Sequence, residues 1–112
     1  MESKEVTIVI VTFKSEQKIL NCLKSIPNEV KVIVVENSSN NRFKMSIEKN
    51  FNNVNCILTG KNTGYSVANN IGLNLVKTKY ALVLNPDTIL DKEAIKNFLI
   101  TADKINDFWL IG

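Results

Sequence analysis

Three polar clusters in this chain carry groups able to do chemistry, and each directly follows an apolar run. Asn85-Pro86-Asp87 follows Tyr80 to Leu84, Glu36-Asn37 follows Val30 to Val35, and Thr12-Phe13 follows Val6 to Val11. A carboxylate just past the carboxyl end of a buried parallel strand stands where open α/β sheets bind their ligands. Held there against a rigid sheet, Asp87 is suited to fix a divalent cation against a phosphate. Pro86 cannot donate a ladder hydrogen bond and drives Asn85 towards an extended conformation, so the strand stops where the polar groups begin. The competing reading of Asp87 is plain punctuation, an Asn-Pro-Asp turn.

In a doubly wound sheet the three ends share one rim, and the set then suits a nucleoside diphosphate. Glu36 can accept hydrogen bonds from a ribose hydroxyl or a base N–H. Phe13 and the Thr12 backbone can wall the base, and Asp87 with a cation can neutralise the diphosphate. The loop Lys61-Asn62-Thr63-Gly64 leads into a helix on the same side, where free N–H groups favour an anion. Against this, Glu36 can be read as a solvated turn residue and Phe13 as a core aromatic.

Absences narrow the chemistry further. The chain has no histidine, which removes histidine-based triads and most catalytic zinc sites. No G-x-G-x-x-G follows the first apolar run, and no G-x-x-x-x-G-K-[ST] occurs, which disfavours the dinucleotide fold and the P-loop.

The elements that must position these groups alternate strictly. Val6 to Val11 is β-branched throughout and reads as a central strand. Ser15 predicts an N-cap for a helix through Ile26, with Ile19, Leu20, Leu23 and Ile26 on one face. Val30 to Val35 is a strand, and a more polar helix spans Asn41 to Phe51 with Phe43, Ile47 and Phe51 aligned. Val54 to Leu58 is a shorter strand. Tyr65 to Val76 is a helix with Val67, Ala68, Ile71, Leu75 and Val76 facing inward. Gly72 inside it implies close packing or ligand approach, because glycine there costs about 1 kcal/mol relative to alanine. Tyr80 to Leu84 is apolar on both faces, as in a strand covered on each side. Asp91 caps a helix through Ala102 with Ala94, Ile95, Phe98 and Leu99 buried, and Phe108 to Ile111 begins another strand. This alternation predicts an α/β fold: right-handed crossovers and a three-layer α/β/α, Rossmann-like, mostly parallel sheet.

The 112 residues make one domain, 1–112, and the composition (45% hydrophobic, 22% charged) is that of an ordinary globular protein. The net charge of +3 is spread out, Arg42 is the only arginine, and no basic cluster interleaves with aromatics, so no nucleic-acid partner is expected. Cys22 and Cys56 lie in apolar settings without metal or redox spacing, which reads as buried free thiols in a reducing cytoplasm. The Thr7 to Thr12 run is too short for a membrane span or a signal core.

Four stretches together resemble the family 2 glycosyltransferases of the GT-A fold. They are Val-Thr-Ile-Val-Ile-Val-Thr-Phe at 6–13, Ile-Val-Val-Glu-Asn-Ser at 33–38, Asn-Thr-Gly-Tyr-Ser-Val-Ala-Asn-Asn-Ile-Gly-Leu at 62–73 and Leu-Asn-Pro-Asp-Thr at 84–88. The Asn-Pro-Asp form most resembles bacterial rhamnosyltransferase-like members that build cell-surface polysaccharides. The resemblance implies an inverting transfer of sugar from a UDP- or dTDP-sugar to an acceptor hydroxyl, with Mn2+ or Mg2+ as cofactor. By position it implies that Thr12, Phe13 and Glu36 contact the nucleoside and that Asn62, Gly64 and Asn70 lie along the donor site. Asp87 would be the metal-binding carboxylate of an Asp-x-Asp-like motif, with Asn85 at its departing first position. Glu36 stands where the family usually has Asp, and Phe13 replaces the usual Tyr.

Family members continue for roughly another domain half, carrying the acceptor site and the general base. This chain therefore reads as the donor-binding half, the acceptor-binding half being absent, with no catalytic base assignable and no transfer expected from it alone. The implied partners are the nucleotide-sugar and a saccharide or lipid-linked acceptor, with the longer enzyme cytoplasmic or at the inner membrane face. Apolar surface left uncovered predicts a homo-oligomer. Two other classes compete. A nucleotidyltransferase wants a Gly- and Arg/Lys-rich loop where Phe13-Lys14-Ser15-Glu16 stands. A non-catalytic nucleotide-binding or scaffold domain such as a receiver wants acidic residues where Thr12-Phe13 and Thr59-Gly60 stand.

Overall fold

The computed structural model describes residues 5–104 and 110–111. Among the described residues five parallel strands form the sheet: β1 (Val6–Thr12), β2 (Lys31–Glu36), β3 (Val54–Leu58), β4 (Tyr80–Leu84) and β5 (Leu110–Ile111). Helices α1 (Glu16–Lys24), α2 (Asn41–Asn50), α3 (Tyr65–Asn74) and α4 (Ala94–Lys104) connect them. The strand order is β3-β2-β1-β4-β5, so the sheet grows outwards in both directions from the β1–β4 pair.

Period-two alternation sorts the core onto two faces. Val6, Ile8 and Ile10 of β1, Val32 and Val34 of β2, and Tyr80, Leu82 and Leu84 of β4 form one cluster with α1, α2 and α4. Val9, Val11, Ile33, Val35 and Val83 face the other way, against Ala68 of α3. Each fully buried aliphatic side chain contributes roughly 1.5–3 kcal/mol, and both faces of β1 are filled with them. The result is the expected three-layer sandwich.

Helix α3 reaches the sheet through its small residues. Ala68 and Gly72 are buried, whereas Val67 and Leu75, expected to face inward, are exposed at 51% and 43%. A Cβ at Gly72 would lie 2.6 Å from Val9 Cγ1, so the helix axis sits closer to the strands than larger inward residues permit. Close packing is therefore the reason for that glycine.

Two other expectations change at the edges. Ser15 occupies the N-cap of α1, but its hydroxyl donates to Phe13 O (3.2 Å) instead of accepting from the helix. The return from β3 to β4 reverses direction along the sheet and changes face, as one crossover hand requires. Helix α4 stays on the first face, with Phe98 edge-on to Tyr80, although β4 to β5 also runs in the reversed direction. That last unit departs from the uniform hand. Of the strand expected over Phe108 to Ile111, Leu110–Ile111 is a strand, and Phe108 and Trp109 lie outside the described residues.

The β3 edge is closed by side chains. Lys44 Nζ donates to Cys56 O (2.6 Å) and Cys56 N donates to Glu48 Oε2 (2.8 Å), while Lys44 and Glu48 pair at 2.9 Å. These bonds occupy backbone groups that an added strand would use.

Candidate functional site

Thr12 and Glu36 are partners in the β1–β2 register, and both close their strands. Alternation turns the two side chains to the face of α1 and α2, where they are 2% and 3% exposed. The Ser38 hydroxyl lies 2.7 Å from each Glu36 oxygen, and Asn40 N donates to Oε1 at 3.0 Å. Asn40 in turn caps α2 by accepting from Phe43 N (3.1 Å) and donates to Glu16 Oε1 (2.6 Å). Glu36 is thus the buried anchor of the β2–α2 turn, not a solvated turn residue. A cavity of about 40 Å³ opens between Thr12, Glu36, Ser38, Asn40 and Phe43. The Thr12 hydroxyl is buried and makes no hydrogen bond among the described residues, so this wall retains a free polar atom.

Phe13 lies outside the core, 39% exposed, with Lys14 Nζ 5.2 Å from its ring centre. Lys14 itself adopts φ 56°, a left-handed conformation rare for its residue type. The β1–α1 turn is therefore sharp, and it leaves an aromatic ring standing at the rim.

Asn37 turns to the opposite face and is 2% exposed. Its Nδ2 donates to Asn62 Oδ1 (3.1 Å) and Gly64 O (3.3 Å). Its Oδ1 accepts from Thr63 N (3.1 Å) and lies 2.9 Å from both the Thr59 and Thr63 hydroxyls. Asn62 Oδ1 also accepts from Gly64 N (3.0 Å). Gly64, at φ 86°, is the N-cap of α3. Asn62 and Gly64 are thus part of the loop's internal bonding, and Asn70 is exposed on α3.

Past β4, Asn85 and Asp87 are exposed, and Thr88 N donates to Asn85 O (3.0 Å) to close the turn around Pro86. The Cys22 thiol of α1 lies 4.0 Å from Asn85 O. Burial, and then the Asp87 charge, push that thiol up to about 11. No group of three or more His, Cys, Asp or Glu able to hold a metal occurs among the described residues. A lone accessible carboxylate fits a cation that draws its remaining ligands from substrate phosphates and water, the usual habit of Mg2+. Asp87 and Thr12-Phe13 follow β4 and β1, the pair from which the chain winds outward in opposite directions, so they flank the switch point of the sheet.

Residues 7–109 match the model of Glycosyl transferase family 2. The chain belongs to that family. Among curated proteins it is similar to the low-salt glycan biosynthesis hexosyltransferase Agl10 of Haloferax volcanii, 34% identical over 96% of this chain and 36% of the relative. Among solved structures it is similar to S. aureus TarS 1-349, with a TM-score of 0.75 and 24% identity over 88% of this chain and 32% of that one. TarS 1-349 in complex with UDP matches equally well, with the same TM-score, identity and coverage. These likenesses establish the GT-A fold. The chain spans about a third of the length of these relatives.

Sequence reasoning assigned no role of their own to Asn37, Ser38 and Asn40, whose groups bond this rim together. The signal for Asn37 was its position: it continues the Ile33, Val35 face, where a buried residue is expected. The offsets of Ser38 and Asn40, two and four from Glu36, are those of a carboxylate satisfying its own turn.

Proposed function

We propose that this chain binds the nucleoside diphosphate part of a nucleotide-sugar, with a divalent cation, as the donor half of an inverting glycosyltransferase in glycan assembly. The observation that carries the proposal is the family match over 7–109, together with a rim where Thr12, Glu36 and Asp87 stand at adjacent strand ends. Thr12 and the remaining acceptor capacity of Glu36 receive the nucleoside, with Phe13 as an aromatic wall. Asp87 holds the cation, beside the neutral Asn85. When bound, the cation supplies positive charge that stabilises the departing diphosphate. The residues of this chain orient the donor, and the attacking acceptor hydroxyl and its general base belong to the part of the enzyme beyond it. Function at the cytoplasmic membrane face fits a lipid-linked or saccharide acceptor. No helix among the described residues is long and apolar enough to cross a membrane.

Calorimetric titration of UDP and dTDP, with and without Mn2+, tests the reading in the wild type and in Asp87→Ala. Metal-dependent binding that the substitution lowers at least about tenfold, or 1.4 kcal/mol, is expected. Binding equally strong without metal, or unaffected by Asp87→Ala, removes Asp87 from the metal. Absence of binding by either nucleotide overturns the donor-site reading.

A further inference from the structure

We propose that Asn37 is a positioning residue, holding the Thr59–Gly64 loop and the first turn of α3 in the shape the donor site requires. Its value for donor binding rests on the function proposed above; its hold on the loop does not.

Three observations converge. First, Asn37 sits on the Ile33–Val35 face, where an apolar side chain would simply extend the core cluster, yet a carboxamide is buried there. Burying an amide without partners costs roughly 1–3 kcal/mol, so its presence is not explained by packing. Second, an asparagine at a strand end ordinarily satisfies its own turn. Here the neighbouring turn is already satisfied by Glu36, and Asn37 instead bonds groups 22 to 27 positions ahead. Third, the grip falls on the backbone of Gly64 from both sides. Asn37 Nδ2 donates to Gly64 O, while Gly64 N donates to the same Asn62 Oδ1 that Asn37 engages. Gly64 O also accepts Ala68 N (3.2 Å), the first bond of α3.

A Cβ at Gly64 would meet nothing within 4 Å, so the glycine answers the left-handed φ and not a shortage of space. The shape of this turn is therefore dictated by what grips it. The grip needs a carboxamide, with donors and an acceptor on one side chain. Aspartate keeps the acceptor for Thr63 N but loses both donations. Leucine and alanine lose everything. The end of β2 thus fixes the direction from which the start of α3 meets the rim before any ligand arrives.

Hydrogen exchange and UDP titration on Asn37→Ala and Asn37→Asp separate the alternatives. In Asn37→Ala, the Thr63 and Gly64 amides should exchange at least about tenfold faster while the β1 and β2 amides keep their protection. UDP affinity should fall about tenfold. In Asn37→Asp, a carboxylate would face Asn62 Oδ1 and Gly64 O, both acceptors, and only its protonated form can donate to one of them. The ratio of its affinity to that of the wild type should therefore recover as pH falls. Glu36 on the adjoining strand position and Lys61 in the held loop are common to both proteins and cancel in that ratio. Unchanged Thr63 and Gly64 exchange in Asn37→Ala overturns the inference, and so does uniform loss of protection or failure to fold, which marks a residue of the whole core. Faster loop exchange with undiminished UDP affinity overturns the link to the donor site. Failure of the wild type to bind UDP refutes the donor reading, and the exchange result still decides the hold on the loop.

Discussion

Gly72→Ala is the sharpest test of how α3 meets the sheet. The added Cβ would lie 2.6 Å from Val9 Cγ1 and 3.0 Å from Val35 Cγ2, against a comfortable carbon–carbon separation of about 3.5–4.0 Å. Relief requires about 1 Å of movement at the closer contact. Val9 and Val35 are fully buried on the two central strands, and a β-branched side chain rotates off its rotamer only at about 0.5–1.5 kcal/mol. Lifting the helix instead loosens the Val9, Val35 and Ala68 contacts along its length. Overpacking of this kind costs typically 1–3 kcal/mol, while replacing glycine by alanine in a helix gains about 1 kcal/mol. At the upper half of the overpacking range, the expected net loss is about 1–2 kcal/mol. For a domain of this size that is a fall in Tm of roughly 5–12 °C. Urea unfolding followed by circular dichroism measures it. The same substitution in a Val9→Ala background meets no Cγ1, so there it should be neutral or stabilising, giving a coupling of about 1–3 kcal/mol. Gly72→Ala as stable as the wild type, or equal effects in both backgrounds, refutes the close-packing argument.

Two further outcomes are expected. The backbone N–H of Cys56 and then Lys44 hold the Glu48 carboxyl below its ordinary value of 4.5, so its contribution is present above that pH and is lost as pH falls through the lowered value. With side chains 31% exposed the contribution is below about 1 kcal/mol; unfolding midpoints from pH 7 to pH 2.5 should fall less steeply in Glu48→Gln, and parallel curves would count against it. Burial pushes the Cys22 and Cys56 thiols up to about 11 and about 12, so neither should react with a disulfide reagent at pH 8 in the native protein and both should react in urea; a fast native phase would contradict their placement.

The strands were the most legible part of the chain. Tyr80 to Leu84 and Val54 to Leu58 were bounded correctly because β-branched and apolar runs end abruptly at Asn, Pro and Thr. Helix beginnings at Asn41 and Tyr65 were equally plain. On α3, Ala68 is buried as expected, but Val67 and Leu75 are not. In a helix that approaches a sheet through Gly72, the small residues are buried and Val67 and Leu75 are displaced outward. At the rim, the sequence leaves Glu36 open between a ligand-facing carboxylate and a solvated turn residue. Its burial follows from Ser38 and Asn40, which face it only once the turn has formed. The partners of Asn37 were illegible for a related reason: those at 59, 62, 63 and 64 come from the next strand–helix connection.

Glu36, the last residue of β2, and Asn37, the next, divide the work of the rim because extended chain turns successive side chains to opposite faces. Glu36 faces α1 and α2 and anchors the turn that follows it; Asn37 faces α3 and anchors a loop from elsewhere in the chain. A shift of one residue in the β1–β2 register would exchange the two and place a carboxylate against the carbonyls of Asn62 and Gly64. The register is held by Val9, Ile10, Val34 and Val35, all fully buried, so apolar packing at the middle of the sheet fixes which polar group meets which loop. The same logic identifies the groups still able to take a ligand. Asn37 has both donors and its oxygen engaged, whereas an ionised carboxylate offers about four acceptor positions and Glu36 shares its two oxygens between two donors. The Thr12 hydroxyl, opposite it in the register, makes no hydrogen bond among the described residues. In the proposed function the ligand would therefore meet the rim at Thr12 and Glu36, where bonding capacity remains, and not at Asn37.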